Sequence, residues 1–261
     1  MAEMIRLDVD SDAIRYLCGK DKRLARVIEM VGPLIYTPYQ DSYSFIVNQI
    51  IGQMLSNKVR DVIYGRLIDR CGGEVRMETV GRLTDEEIRS IGISGAKVRY
   101  IRRFTESMKS GEIDFAGFSQ MSDEEIIKQL TKLPGIGRWT AKMYLIFSLD
   151  RPDVLPVEDV AFLQGYQWTY KTDDVSPAAV RKKCKKVEPL CIYSRPVYVP
   201  GAGSGVYKAG ISPVRWREKI RKRKRSMDIW EKSVFEGKRG IPSAGGDAVF
   251  VCTSCGMCAG K

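Results

Sequence analysis

Between Ser122 and Leu149 the chain reads as helix, tight turn, helix. Ser122-Asp123-Glu124-Glu125 forms a capping box, in which serine and glutamate satisfy two orphan amides at a helix start. Ile126 and Leu130 follow at helical spacing. Leu133-Pro134-Gly135-Ile136-Gly137 then breaks the helix, and an apolar run from Arg138 to Leu149 starts the next one. Gly135 and Gly137 have no Cβ, so backbone can approach a ligand closely. Amides at the start of the second helix point outward and favour an anion such as phosphate. The same residues also suit an ordinary helix–helix turn with glycine caps.

The remainder of residues 1–186 predicts helices as well. In Asp21–Val31, Leu24, Val27, Ile28 and Val31 share one helical face, and Gly32-Pro33 ends the element. From Tyr43 to Ile68 apolar residues recur at helical spacing, interrupted at Gly52, and Cys71-Gly72-Gly73 closes the run. Thr84-Asp85-Glu86-Glu87 is a second capping box. Ala96 to Lys109 predicts a basic helix, and no run of alternating strand character stands out before residue 186.

Composition narrows the chemistry. The 261 residues contain no histidine, which excludes histidine-based nucleophile systems and imidazole metal sites. Acid–base work falls to carboxylates, lysine, tyrosine or cysteine. Lys and Arg number 43 against 32 Asp and Glu, a net charge of +11. Of these, 14 basic and 6 acidic residues lie in 187–261, so most of the excess sits in that tail. The excess points to a polyanionic partner, but weakly for the first 186 residues. No apolar run reaches the roughly 18–20 residues of a membrane span, and the N-terminus lacks a signal-peptide layout. A soluble cytoplasmic protein with reduced cysteines is expected.

Asp159 stands 22 residues beyond Gly137, in a loop containing Pro156-Val157-Glu158-Asp159. With it, the chain resembles the helix-hairpin-helix (HhH-GPD) DNA glycosylase superfamily. Within that superfamily it resembles the alkylated-base branch typified by 3-methyladenine DNA glycosylase II. The resemblance rests on Leu-Pro-Gly-x-Gly-x-x-Thr-Ala at 133–141, the Pro-x-x-Asp loop, Gly52-Gln53-Met54-Leu55-Ser56, and Leu83–Glu87 through Lys97. It spans roughly residues 15–186.

The resemblance implies an all-α, bilobal fold with a DNA cleft between two helical subdomains. Residues 1–186 would form the glycosylase domain, with the hairpin at about 126–149. It implies a monomer, associated with the nucleoid, that excises alkylated bases from double-stranded DNA by flipping them into a pocket. Gly135, Gly137, Arg138 and Lys142 would contact DNA, with Lys58 and Arg60 as helpers. Met54 matches the wedge that fills the vacated stack, against the alternative of a core methionine. Trp139, Gln53 and Met143 would line the base pocket. The backbone carbonyls of Thr131, Leu133 and Ile136 would hold a monovalent cation, and no other cofactor is expected.

Breaking an N-glycosidic bond develops positive charge on the sugar. A fixed carboxylate stabilises it, and the resemblance assigns that role to Asp159, which also suits a helix N-cap. Asp153 and Glu158 are rival carboxylates. The lyase branch carries a lysine two residues after the second glycine, where this chain has Trp139, so hydrolysis without strand cleavage is expected. Lys142, three residues further on, reads as a phosphate contact or plain surface charge. Two alternatives remain: a relative acting on oxidised or mismatched bases, or a catalytically impaired DNA-binding relative.

At residue 187 the character changes to a Gly-, Pro- and Cys-containing basic tail. Cys184 and Cys191 have the first spacing of the family's iron–sulfur pattern, but Cys252, Cys255 and Cys258 do not continue it, so no cluster is expected. Cys252-x2-Cys255-x2-Cys258 could still bind a soft metal, and a second account of the tail is a shift of reading frame, which would explain the abruptness. One nucleotide sequence can encode residues 186–193 and, one frame over, Lys-Trp-Ser-Pro-Tyr-Ala-Ser-Ile. That resembles the Trp-x-Pro helix with which the family continues, and it would make the tail cysteines accidental.

Overall fold

A computed structural model describes residues 4–188. The expectations about the reading frame, the basic run, and Cys191, Cys252, Cys255 and Cys258 lie outside the described residues.

The chain opens with β1 (Ile5–Leu7), α1 (Asp12–Lys20), α2 (Lys22–Val31) and β2 (Leu34–Tyr36). Asp21 caps α2, its carboxylate accepting from the Arg23 and Leu24 amides. Gly32 ends α2 at φ 79°, a conformation an L side chain resists. The chain then turns back, and β2 pairs antiparallel with β1, Ile5 opposite Tyr36 and Leu7 opposite Leu34. This short two-stranded ribbon is an addition to a mostly helical fold, and the helical expectation holds. Strands of three residues are too short to show a period of two, so no alternation marks them.

The helical middle follows as α3 (Ser42–Gly52), α4 (Asn57–Arg70), α5 (Met77–Arg82), α6 (Asp85–Ser90), α7 (Gly95–Lys109), α8 (Asp123–Leu130) and α9 (Arg138–Phe147). The break at Gly52 separates α3 from α4 as the sequence indicates. Both capping boxes form, Thr84 with Glu87 and Ser122 with Glu125. After α9 come α10 (Val160–Tyr170) and α11 (Pro177–Cys184). No helix among the described residues is long and apolar enough to cross a membrane.

These elements build two cores. The first is continuous in sequence, from Tyr43 to Val154, and includes Ile46, Phe104, Phe118, Leu133 and Tyr144. The second joins the two ends of the described chain: Leu7 to Tyr36 packs with Val157, Phe162, Tyr166, Tyr170 and Val180. The bilobal expectation therefore holds, with a lobe boundary that periodicity alone does not reveal. Buried Asp21 ties the second core together: Tyr170 Oη donates to Oδ2 at 2.7 Å, and Lys186 Nζ lies 2.6 Å from the same oxygen. The chain crosses between the cores at Val154–Val157, and Asp159 follows two residues later.

Candidate nucleic-acid interface and carboxylate site

The turn between α8 and α9 is held from two sides. A Cβ built on Gly135 would lie 2.4 Å from the Tyr100 ring, and Gly135 sits at φ +84°. Packing against α7 therefore requires this glycine, independently of any ligand. Gly137 differs. It is the N-cap of α9 with φ −91°, and a Cβ there meets nothing within 4 Å. Gly137 has no side chain to cap the α9 amides, and among the described residues no other side chain takes that place, so the start of this ten-residue helix offers donors to an external anion.

Gln53 does not point toward a base pocket as an unattached side chain. Its Nε2 donates to the Gly135 carbonyl at 2.6 Å. Lys97 donates to the carbonyls of Ile51 and Gln53 at 2.8 and 2.7 Å, closing the C-terminus of α3. Burial lowers the Lys97 pKa from its ordinary value. Between these anchors Met54 adopts φ 58° and is fully exposed, at 102%. The core-methionine alternative is thereby removed. The strained backbone at Met54 is held by the contacts on either side of it, and its apolar side chain stands free in solvent.

Asp159 is the N-cap of α10, Oδ1 accepting from the Phe162 amide at 2.8 Å. Its Oδ2 accepts from the Trp139 indole Nε1 at 2.7 Å. The carboxyl group is buried, at 6% exposure. Both sequence roles for Asp159 thus remain compatible: it caps a helix, and it stands at the seam between the cores, bound to the first turn of α9. Trp139, half-buried, meets the carboxylate through its ring nitrogen as well as packing against the first core.

Several expected contacts are corrected. Met143 lies at 2% exposure within the first core and lines no surface. Lys142 is neither a phosphate contact nor a surface charge. It is buried, with Nζ 2.9 and 2.7 Å from the Glu158 carboxylate oxygens and 3.0 Å from the Leu155 carbonyl. Arg60 is also buried, packed beside Gly52 and paired with Asp61 at 2.7 Å. Arg138 is exposed but already faces carboxylates, Glu124 at 3.3 Å and Glu158 at 3.8 Å. Lys58 is exposed. Thr131 is the C-cap of α8, and the Leu133 carbonyl accepts the Ile136 amide at 3.2 Å. Cys71 is buried as expected, whereas Cys18 is partly exposed. Burial pushes the Cys184 thiol up to about 11, consistent with an apolar packing role.

Lys97, Tyr100 and Glu158 carry contacts the sequence reading did not assign. Lys142 had a usable signal: it is the lone charge within Thr140–Phe147, where every residue except Phe147 is buried. A cation at such a position requires a partner.

A helix–turn–helix element with an uncapped second helix, beside a buried carboxylate at a lobe seam, defines a helix-hairpin-helix protein. The chain belongs to the HhH-GPD superfamily of base excision DNA repair proteins, whose family model matches residues 47–189. It is 31% identical over 162 residues to DNA-3-methyladenine glycosylase 1 of Schizosaccharomyces pombe, covering 60% of this chain and 71% of that one. The crystal structure of DNA-3-methyladenine glycosidase from Bacillus halodurans superposes with a TM-score of 0.67 at 32% identity, covering 74% of this chain and 92% of that one. The Schizosaccharomyces pombe 3-methyladenine DNA glycosylase in complex with abasic DNA gives a TM-score of 0.65 at 26% identity, covering 72% of this chain and 95% of that one.

Proposed function

We propose that this protein is a monofunctional DNA glycosylase that hydrolyses the N-glycosidic bond of alkylated purines in double-stranded DNA. The observation that carries this reading is the 2.7 Å bond between Trp139 and Asp159, which fixes a carboxylate against the hairpin helix. The uncapped α9 amides bind a backbone phosphate next to the damaged nucleotide. Met54 enters the stack as the base leaves it. Asp159 then faces the positive charge that grows on the sugar and stabilises it as a fixed anion. An alkylated purine already carries positive charge, so it departs without a strong general acid, in keeping with a chain that has no histidine.

A monovalent cation suits the hairpin. Thr131 ends α8, where last-turn carbonyls lack intrahelical partners, and the Leu133 carbonyl keeps a second lone pair beyond its bond to Ile136. With the Ile136 carbonyl these would hold the ion, whose charge would help to bind phosphate.

One observation favours a second reading. Both oxygens of Asp159 are engaged and the group is buried, as in a purely structural N-cap. A DNA-binding relative without chemistry would look the same. Incubation with duplexes each carrying one 3-methyladenine-type, oxidised or mismatched lesion, followed by alkali, separates the two. The proposed activity gives alkali-dependent breaks at alkylated purines and no borohydride-trapped adduct. Binding without breaks at any lesion overturns it, and a trapped adduct moves the protein to the lyase class.

A further inference from the structure

Lys142 and Trp139 lie three residues apart on α9 and so share one face of the helix. That face meets two consecutive residues of the crossover loop. Trp139 donates to Asp159, and Lys142 donates to Glu158 through both carboxylate oxygens. Lys142 also donates to the Leu155 carbonyl, which in turn accepts the Val157 amide at 2.9 Å. The loop is thus fastened at its end by an ammonium group buried to 5% side-chain exposure. Its beginning is fastened separately: Arg151 donates to the carbonyls of Phe118, Ser119 and Met121 at 3.0–3.2 Å. Between these two anchors the chain passes from one core to the other: Val154 is buried in the first and Val157 in the second, and Glu158 follows with its side chain a third exposed.

We infer that the Lys142–Glu158 ion pair positions the Asp159 carboxylate, fixing it relative to the hairpin helix. The inference rests on the assignment of Asp159 in the proposed function. Lys142 is a positioning residue: it touches neither the reacting atoms nor Asp159 itself. A buried ammonium between a carboxylate and a carbonyl resists displacement, because moving it away leaves a charge with little solvent contact unpaired. Asp159 is the next residue after Glu158, so its Cα is held by the same contact. The indole and the Phe162 amide then fix the direction of the carboxyl group. Arg138, 3.8 Å from Glu158, contributes a second and more exposed cation to the same carboxylate.

The test compares Lys142→Met, Lys142→Arg and Glu158→Gln in the full chain. Single-turnover excision is measured on an alkylated duplex, and affinity on a duplex carrying a tetrahydrofuran abasic analogue, with active protein titrated in each case. Lys142→Met should slow excision on the order of ten- to a hundredfold, with affinity changed less than about threefold. Lys142→Arg should recover part of the rate, and Glu158→Gln should lie between parent and Lys142→Met. In an Asp159→Asn background, Lys142→Met should cost little further rate, because the position it maintains is no longer used. Equal loss of rate and affinity, or additivity with Asp159→Asn, overturns the inference. Glu158→Gln keeps the test intact if Lys142→Met does not fold, since Glu158 is a third exposed.

An activity-independent measurement separates this inference from the role of Asp159. Hydrogen exchange in residues 156–163 should accelerate in Glu158→Gln and Lys142→Met relative to the rest of α10. Unchanged exchange overturns the positioning role whatever Asp159 does. Parent-like excision by Asp159→Asn with accelerated exchange in the Lys142 variant overturns the catalytic reading alone.

Discussion

The indole Nε1 of Trp139 donates a 2.7 Å hydrogen bond to Oδ2 of Asp159. The bond joins the first turn of the hairpin helix to the first turn of α10, and so one core to the other. Trp139→Phe keeps a ring and removes the donor. A hydrogen bond to a charged group contributes about 1.5–3 kcal/mol, so single-turnover excision should fall by about ten- to a hundredfold. Affinity for undamaged duplex should stay near the parent value. Matching losses in a rate assay and a gel-shift titration would show that the indole serves DNA binding instead.

The two hairpin glycines should separate by experiment. Gly135→Ala places a methyl group against the Tyr100 ring in a left-handed conformation, and should cost roughly 2–4 kcal/mol in thermal or urea unfolding. Gly137→Ala meets open space and should stay within about 1 kcal/mol of the parent. The β-branched Gly137→Val should instead weaken binding to damaged and undamaged duplex alike. Loss for lesion DNA only would contradict phosphate binding at α9.

Met54 should matter to the DNA and not to the fold. Fully exposed, it should be replaceable by alanine with a stability change within about 0.5 kcal/mol. Excision of a base-paired lesion should drop, while excision of the same lesion opposite a mismatched base should drop less, since less unpairing work is needed. Equal loss on both substrates would argue against a wedge.

Much of the fold is legible in the sequence where local chemistry decides it. Thr84 with Glu87 and Ser122 with Glu125 form the reciprocal caps that their spacing implies. The end of α2 at Gly32 follows from the positive φ that glycine accepts, and the break after Gly52 lies where the sequence places it. The candidate carboxylate is legible through the hairpin-to-Asp159 spacing. What is not legible depends on distant partners. The apolar run around Lys142 signals a buried cation, but its partner, Glu158, 16 residues on, carries no such signal. Gln53 meets a carbonyl 82 residues away, and Gly135 a ring on α7. Met143 follows the same helix as Trp139 but on the face turned into the core. Of the two rival carboxylates, Glu158 anchors Lys142, so Asp153 is the one suited as a control for Asp159.

The Asp21 carboxylate should contribute a pH-dependent share of stability. Burial pushes its pKa up, but the Lys186 ammonium, the Tyr170 hydroxyl and the Leu24 and Arg23 amides together hold it below its ordinary value. A depressed folded-state pKa gives stability that is complete above the unfolded value of about 4 and fades as pH falls below it. Asp21→Asn should therefore lower the melting temperature at pH 7, and the gap to the parent should narrow toward pH 3. A gap that widens on acidification would contradict the ion pair with Lys186.

Asp159→Asn in single turnover tests the account most directly. The substitution keeps the size of the side chain and a carbonyl that can cap α10, and removes the charge. On an alkylated duplex that the parent chain cleaves, excision should fall by about two or more orders of magnitude. Affinity for duplex should hold or rise, because a negative charge near phosphates is gone. Asp153→Asn should stay close to the parent in both measurements. Near-parental excision by Asp159→Asn, with the variant shown to be folded, would contradict the role assigned to this carboxylate.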